Sequence, residues 1–216
     1  MADAPSARTR RPRNSLSAPA VLDAAERVAS DGLDRLTIRA VADELGSSPM
    51  SLYRYIASRE ELVEALLNRV LERMEAAAPT ADPLADLRGF ARRHLELLLA
   101  HAWAVPGLIA HPAPGPNAVP IGEQALEILY RLGARGDHAV ALFSGIVALN
   151  YGWASFAIAR RAAEAQPSLD RIAGEPDARF PRTAAVAVAM LRFGAEEHYD
   201  LVLGDLLAGI AANRVG

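Results

Sequence analysis

Residues 36–62 read LTIRAVADELGSSPMSLYRYIASREEL. Thr37 can cap a helix that carries Ile38, Val41, Ala42 and Leu45 on one face, and Gly46 ends it. Ser48 can cap a second helix, with Pro49 in its first turn and Leu52 and Ile56 facing inward. Ser58 opens a third, with Glu60 and Glu61 in the first turn, and the Ser58–Glu61 spacing is that of a capping box. A small residue in the first helix, a glycine in the turn and apolar residues between them let two helices cross steeply at close range. The spacing therefore predicts a helix-turn-helix. The outer side of its second helix presents Pro49, Met50, Ser51, Tyr53, Arg54 and Tyr55, a mixture of hydroxyls, a guanidinium and apolar groups suited to a major groove. The competing reading is that both tyrosines pack the small domain and Arg54 is a solvated surface arginine.

Working outward, Ser17 can cap a helix with Pro19 in its first turn and Val21, Leu22, Ala25, Val28 and Ala29 on one face, stopped by Gly32. The helix opened by Ser58 can run through Leu62, Leu66, Val70 and Met74 to about residue 78, where Pro79 stops it. Asp82 and Pro83 open a helix with Leu84, Leu87, Ala91, His94, Leu95 and Leu98 inward. A loop over 111–120 separates it from a helix over 121–132. Asp137 can cap a long helix to about residue 165, a loop follows over 166–181, and a short alanine-rich helix and a final one over 196–213 close the chain. No alternating strand pattern or internal repeat appears, so the fold class expected is all-α. The division expected is a basic arm over 1–16, a helix-turn-helix domain with connecting helix over 17–78, and a second helical domain over 79–216.

Composition narrows the function classes. Half of the 216 residues are hydrophobic, enough for a core, and the absence of cysteine excludes disulfides and Cys-based metal sites. The first 15 residues are polar and arginine-rich, unlike a signal peptide, and no uninterrupted apolar run reaches the length needed to span a bilayer. The most apolar stretch, 139–159, contains Asn150 and Ser155 and reads as a buried helix, so a soluble cytoplasmic protein is expected. Every basic residue is arginine, and the charge is uneven: residues 1–59 hold nine Arg against seven acids, net +2, and residues 60–216 hold 14 Arg against 19 acids, net −5. That balance suits one small nucleic-acid contact surface on an acidic body. Arg8, Arg10, Arg11 and Arg13 in the arm can reach phosphate, or can simply solubilise the chain.

The stretches Leu36–Ser48, Leu52–Ile56 and Arg59–Leu62 together resemble the DNA-binding domain of TetR-family transcriptional regulators, over about residues 18–65. The segments His101–Trp103, Gly115–Ala118, Phe180–Arg182 and Tyr199–Leu207 are similar to the tetracycline-repressor type of ligand domain. The resemblance implies phosphate contacts from Thr37, Arg39, Ser48, Tyr53, Tyr55 and Arg59, and base-facing positions for Pro49, Met50, Ser51 and Arg54. It also implies a homodimer through the long helix and the final helix, both rich in small residues. Two recognition helices would then lie about 34–36 Å apart on a double-stranded operator.

The second domain is expected to hold a mainly apolar small-molecule effector between its helices. The candidate lining is His94, Leu98, His101, Trp103, Asn117, Phe143, Val147, Asn150, Tyr151 and Trp153, with Ile109 and Tyr130 nearby. Each residue taken singly is as well explained as core. His94 and His101, seven apart, could share a metal with Glu96 or Asp137, but satisfied histidines explain them as well, and neither metal nor cofactor is expected. The function expected is a repressor released from its operator by a ligand. The alternatives are a DNA-binding regulator without small-molecule sensing, as an activator or under a partner's control, and a small helical enzyme. Against the enzyme stands the absence of a nucleophile elbow, a P-loop or a dinucleotide fingerprint.

Overall fold

The computed structural model describes residues 16–111, 115–162, 179–192 and 194–212, and all regular structure among them is helical. The chain packs as two compact units: residues up to Arg73 together with Pro106–Ala118, and Met74–Val105 together with residues from Val119 onward. The expected division crosses once, after residue 78, whereas the chain returns to the first unit at Pro106–Ala118. Asn117 fixes that return, its backbone N–H donating to Asn68 Oδ1 at 2.9 Å and its side-chain amide to Asn68 O at 3.0 Å.

In the first unit, α1 (Ala18–Ala29), α2 (Ile38–Glu44), α3 (Pro49–Leu52) and α4 (Arg59–Glu72) follow one another, with a single 3-10 turn, Leu33–Arg35, after α1. Their starts are set by local chemistry. Ser17 Oγ accepts from Ala20 N, Thr37 Oγ1 from Ala40 N at 3.0 Å, and Ser58 Oγ from Glu61 N at 3.1 Å. The box at Ser58 is shifted by one residue, because Glu61 Oε2 reaches the N–H of Ala57 rather than that of Ser58. Gly46 has φ 62°, and with Ser47 N donating to Ala42 O it turns the chain out of α2 by a Schellman closure that a side chain would strain. Val21, Ala24, Ala25, Val41, Ala42, Leu52 and Leu66 form the buried centre. Helix α4 stops at Glu72, short of the expected residue 78: beyond it Ala76, Ala77 and Ala78 are exposed and offer no apolar face to bury.

In the second unit, α5 (Pro83–Ala100) packs along α8 (Gly136–Ala162) and against the final helix, α11 (Glu196–Ala212). Asp82 Oδ1 accepts from Leu84 N and Ala85 N, which opens α5. A 3-10 turn, Ala102–Ala104, leads to α6 (Val105–Ala110), followed by α7 (Ala118–Arg131). Helix α7 begins three residues earlier than expected, taking Pro120 into its first turn, where a missing N–H costs nothing. Two short helices, α9 (Pro181–Ala185) and α10 (Ala187–Met190), precede α11. The loop expected over 166–181 lies outside the described residues up to 178, and Pro181 itself begins α9.

Helix α8 departs from the expectation of burial. Of an 18-residue apolar stretch within Gly136–Arg160 only 22% is buried, and with a mean hydropathy of 1.4 the helix is long and apolar enough, by length and composition, to cross a membrane. One face rests on α5, while Val140, Ala141, Ser144, Ala148 and Phe156 remain exposed. Apolarity at every position hides the helical period, so the sequence could not distinguish a helix covered all round from one covered on a single face. On α11, Leu201, Val202, Ala208 and Gly209 are likewise exposed.

Candidate functional site

The first unit carries an exposed polar-aromatic face on α3 and on the turn 53–55 after it, since the helix ends at Leu52, short of the expected Ile56. Buried Leu52 and Ile56 anchor its inner side, and α2 packs behind it. Outward stand Pro49, Met50 at 76% exposure, Tyr53 at 50% and Arg54. An apolar side chain as open as Met50 is poorly placed in water and well placed against a base methyl group. The Arg54 guanidinium lies 5.9 Å from the ring centre of Tyr55, which steadies it beside the face. Thr37 and Ser48 stand at the N-caps of α2 and α3, and Arg39 is exposed with only a loose 4.0 Å pairing to Asp43. These positions can offer hydroxyl, amide and guanidinium donors to phosphate.

Three side chains assigned to the same face are engaged within the unit. Ser51 is half-buried; its hydroxyl lies 2.6 Å from that of Ser47 and donates to Ser48 O at 2.5 Å, closing the turn. Tyr55 donates its hydroxyl to Leu16 O at 2.8 Å, tying the chain before α1 to α3. Arg59 Nε donates to Leu36 O at 2.7 Å and Nη2 to Leu33 O at 3.2 Å, so this guanidinium braces the end of the 3-10 turn. On the opposite side, Arg69 pairs with Asp23 at 2.6 Å and Arg73 with Glu26 at 2.5 Å, clamping α4 to α1.

The second unit has a buried polar core. Asn150, with 0% exposure, donates from Nδ2 to Ala91 O and to His94 Nδ1, both at 2.9 Å, and accepts the Tyr199 hydroxyl at Oδ1 at 2.8 Å. The Ala91 carbonyl can only accept, which orients the amide. His94 Nδ1 is then an acceptor, so the neutral ring carries its proton on Nε2. Burial lowers the His94 pKa to about 4, and burial likewise raises the Tyr151 and Tyr199 hydroxyls above their usual range. The ring of His94 stacks on Phe90 at 6.3 Å and meets the edge of Tyr151 at 5.7 Å, and Trp153 meets Tyr199 at 5.7 Å.

Of the expected ligand-lining residues, this core gathers His94, Asn150 and Tyr151, with Trp153 joined through Tyr199. Leu98 is fully buried, and Phe143 and Val147 are half-buried on α8. His101 and Trp103 face each other at 6.3 Å beyond the end of α5, Tyr130 lies exposed under the Arg135 guanidinium at 4.8 Å, Ile109 is exposed, and Asn117 belongs to the first unit. Among the described residues no group of three or more His, Asp or Glu stands ready for a metal, and His94 Nδ1 is already engaged.

Sequence reasoning missed Tyr199 and a cleft of about 510 Å³ between residues 76–80, α5 and α7. In its wall Arg131 donates to Asp86 at 2.6 Å and to Thr80 O, and the Thr80 hydroxyl donates to Asp86 at 2.7 Å. Thr80 first, then Arg131, hold the Asp86 carboxylate below its usual pKa range. The spacing of Thr80, Asp86 and Arg131 in the chain carried no signal for that triad.

Family models match both parts of the chain: that of bacterial regulatory proteins of the tetR family over residues 21–66, and that of the tetracycline repressor-like C-terminal domain over 77–214. A curated relative, the HTH-type transcriptional repressor DrrR1 of Streptomyces coeruleorubidus, is 32% identical over 177 residues, 81% of this chain; the match spans 63% of the relative's length. Among solved structures, a TetR transcriptional regulator of Streptomyces coelicolor is 26% identical with a TM-score of 0.73, over 91% of this chain and 98% of that one. ActR from the same organism, solved in complex with actinorhodin, shares the fold at 23% identity and a TM-score of 0.82, over 93% and 97% of the two chains.

Proposed function

The chain belongs to the TetR family of bacterial regulatory proteins, and from that premise we propose that it is a cytoplasmic DNA-binding transcriptional repressor that a small molecule releases from its operator. The observation that carries the reading is the outer face of α3 and of the turn that follows it, where Pro49, Met50, Tyr53 and Arg54 stand exposed beside the buried anchor Leu52. Arg54 reads a base edge, most simply guanine, while Thr37, Arg39, Ser48 and Tyr53 contact phosphate. Ser51, Tyr55 and Arg59 shape the face from within the unit, and Tyr55 and Arg59 can add phosphate contacts only with the donors left to them.

A second copy of the chain covers the exposed apolar faces of α8 and α11, giving a two-fold dimer that reads a palindrome. That partner also accounts for an apolar helix so little covered within one chain. The effector enters the second unit, and it lowers DNA affinity to the extent that it binds the released conformation more tightly than the DNA-bound one. The names carried by the relatives, a repressor for DrrR1 and an actinorhodin complex for ActR, support this reading.

Fluorescence anisotropy against fragments from the gene's upstream region, at two salt concentrations, tests it. The expected result is tight binding to one fragment, weakened by salt and by Arg54→Ala. Equal affinity for every fragment and for random DNA, from folded protein, would sink the operator reading. Sedimentation of an Ala148→Glu variant tests the dimer, and a native-like dimer mass would place the interface elsewhere.

A further inference from the structure

We propose that the cleft between residues 76–80, α5 and α7 binds a small organic anion whose acidic group is held by Arg93. Its volume of about 510 Å³ lies in the range of small-molecule sites. The polar side chains that build its wall are already engaged: Arg131 and Thr80 with Asp86, and Gln124 Nε2 with Ala77 O at 3.3 Å. Ala77, Ala78, Ala85 and Ile128 supply an apolar surface between them.

Arg93 lines the same cleft and differs from its neighbours. Its Nε is withdrawn from solvent with no hydrogen-bond acceptor, and among the described residues no carboxylate pairs with its guanidinium. The group stays charged and presents five N–H donors in a plane. With Nε shielded from solvent, an incoming carboxylate or sulfonate would meet the guanidinium through its terminal N–H groups, in a charge-assisted hydrogen bond. Gly89, one turn earlier on α5, lets the guanidinium lie close against the helix: a Cβ at that position would lie 3.1 Å from Arg93 Nη1.

The remaining charges facing the cleft are Glu123 and Glu127, exposed one turn apart on α7. They disfavour a bare inorganic anion, which gains nothing from the alanine-lined wall. An anion with an apolar body gains both the pairing with Arg93 and that wall. The regulatory meaning of the site rests on the effector-release reading above; its occupancy does not.

Titration of the DNA-free full chain with 8-anilinonaphthalene-1-sulfonate, beside the uncharged N-phenyl-1-naphthylamine, tests the site. Saturable sulfonate binding is expected in the native protein. Arg93→Met weakens it at least about tenfold, as loss of a charged hydrogen bond implies, and leaves the uncharged dye unaffected. Glu127→Gln tightens sulfonate binding about two- to threefold by removing a like charge. No saturable sulfonate binding, equal binding by native and Arg93→Met proteins, or parallel loss of both dyes would overturn the proposal, as would unchanged binding by Glu127→Gln. Because DNA is absent, these results stand apart from whether any small molecule releases an operator.

Discussion

The two units place their polar chemistry in opposite ways. In the first, hydroxyls close helix ends three residues away, as Ser17, Thr37 and Ser58 do, a long-range pair such as Arg69–Asp23 lies at exposed positions, and Pro49, Met50 and Tyr53 are left facing outward. In the second, polar groups meet across long stretches of chain: Asn150 joins Ala91, His94 and Tyr199, which lie 59, 56 and 49 residues away. Local closure leaves side chains available to a partner outside the molecule. Long-range closure uses them to define the interior. A change on the outer face of the first unit should therefore alter binding and spare the fold, and a change inside the second should do the reverse.

The sharpest test of this contrast is Asn150→Ala. It strips partners from three buried groups and opens a cavity, and should lower unfolding stability by roughly 3 kcal/mol or more. Urea denaturation followed by tryptophan fluorescence reads the second unit directly, since Trp103 and Trp153 both belong to it. A loss below about 1 kcal/mol would mean that the network is dispensable.

Acid should separate the units next. Burial holds His94 at about 4, below the ordinary 6.5, so the unfolded chain takes up a proton that the folded chain refuses between those values. The stabilisation is fully present above about pH 6.5 and is lost as the pH falls towards 4, on the order of 3 kcal/mol in all. His94 lies on α5, so this loss belongs to the second unit. Acid unfolding midpoints of the native protein and of His94→Gln check it: a pH dependence unchanged by the substitution would remove His94 as the cause.

On the first unit, Arg54→Ala should weaken the preferred fragment by about 1–3 kcal/mol relative to random DNA, with the urea midpoint unchanged. A shift of that midpoint would show that Arg54 supports the fold through its contact with Tyr55, and would blur the contrast. The smallest effect expected is Thr37→Ala, which removes the cap of α2 at about 1 kcal/mol and weakens DNA binding besides. A stability loss without any change in DNA affinity would confine Thr37 to the capping role.

The helix-turn-helix was legible because its signals are short-ranged. Thr37, Gly46 and Ser58 act on backbone within a few residues, so residue type and spacing suffice. Arg59 shows where that stops. The resemblance implied a phosphate contact for it, yet its guanidinium turns to Leu36 O and Leu33 O, carbonyls 23 and 26 residues earlier. Of the residues expected to line a ligand pocket, His94 and Asn150 meet in the buried polar core, but Tyr199, which completes their network, carried no local sign of it. Helix α8 was read as buried because it is apolar throughout, and hydrophobicity measures the tendency to leave water without naming the surface that will cover it.

By itself, the sequence determined the all-helical class, most helix starts and which side of α3 faces outward, because caps, turn glycines and apolar spacing act over one or two turns. Only the tertiary structure decided that Pro106–Ala118 returns to the first unit, that Asn150 locks the proton of His94 on Nε2, and that Arg93 lines a cleft with its Nε buried and without an acceptor. Those outcomes depend on which distant groups meet, and hydrogen bonding and burial are satisfied pairwise in space, without regard to separation along the chain.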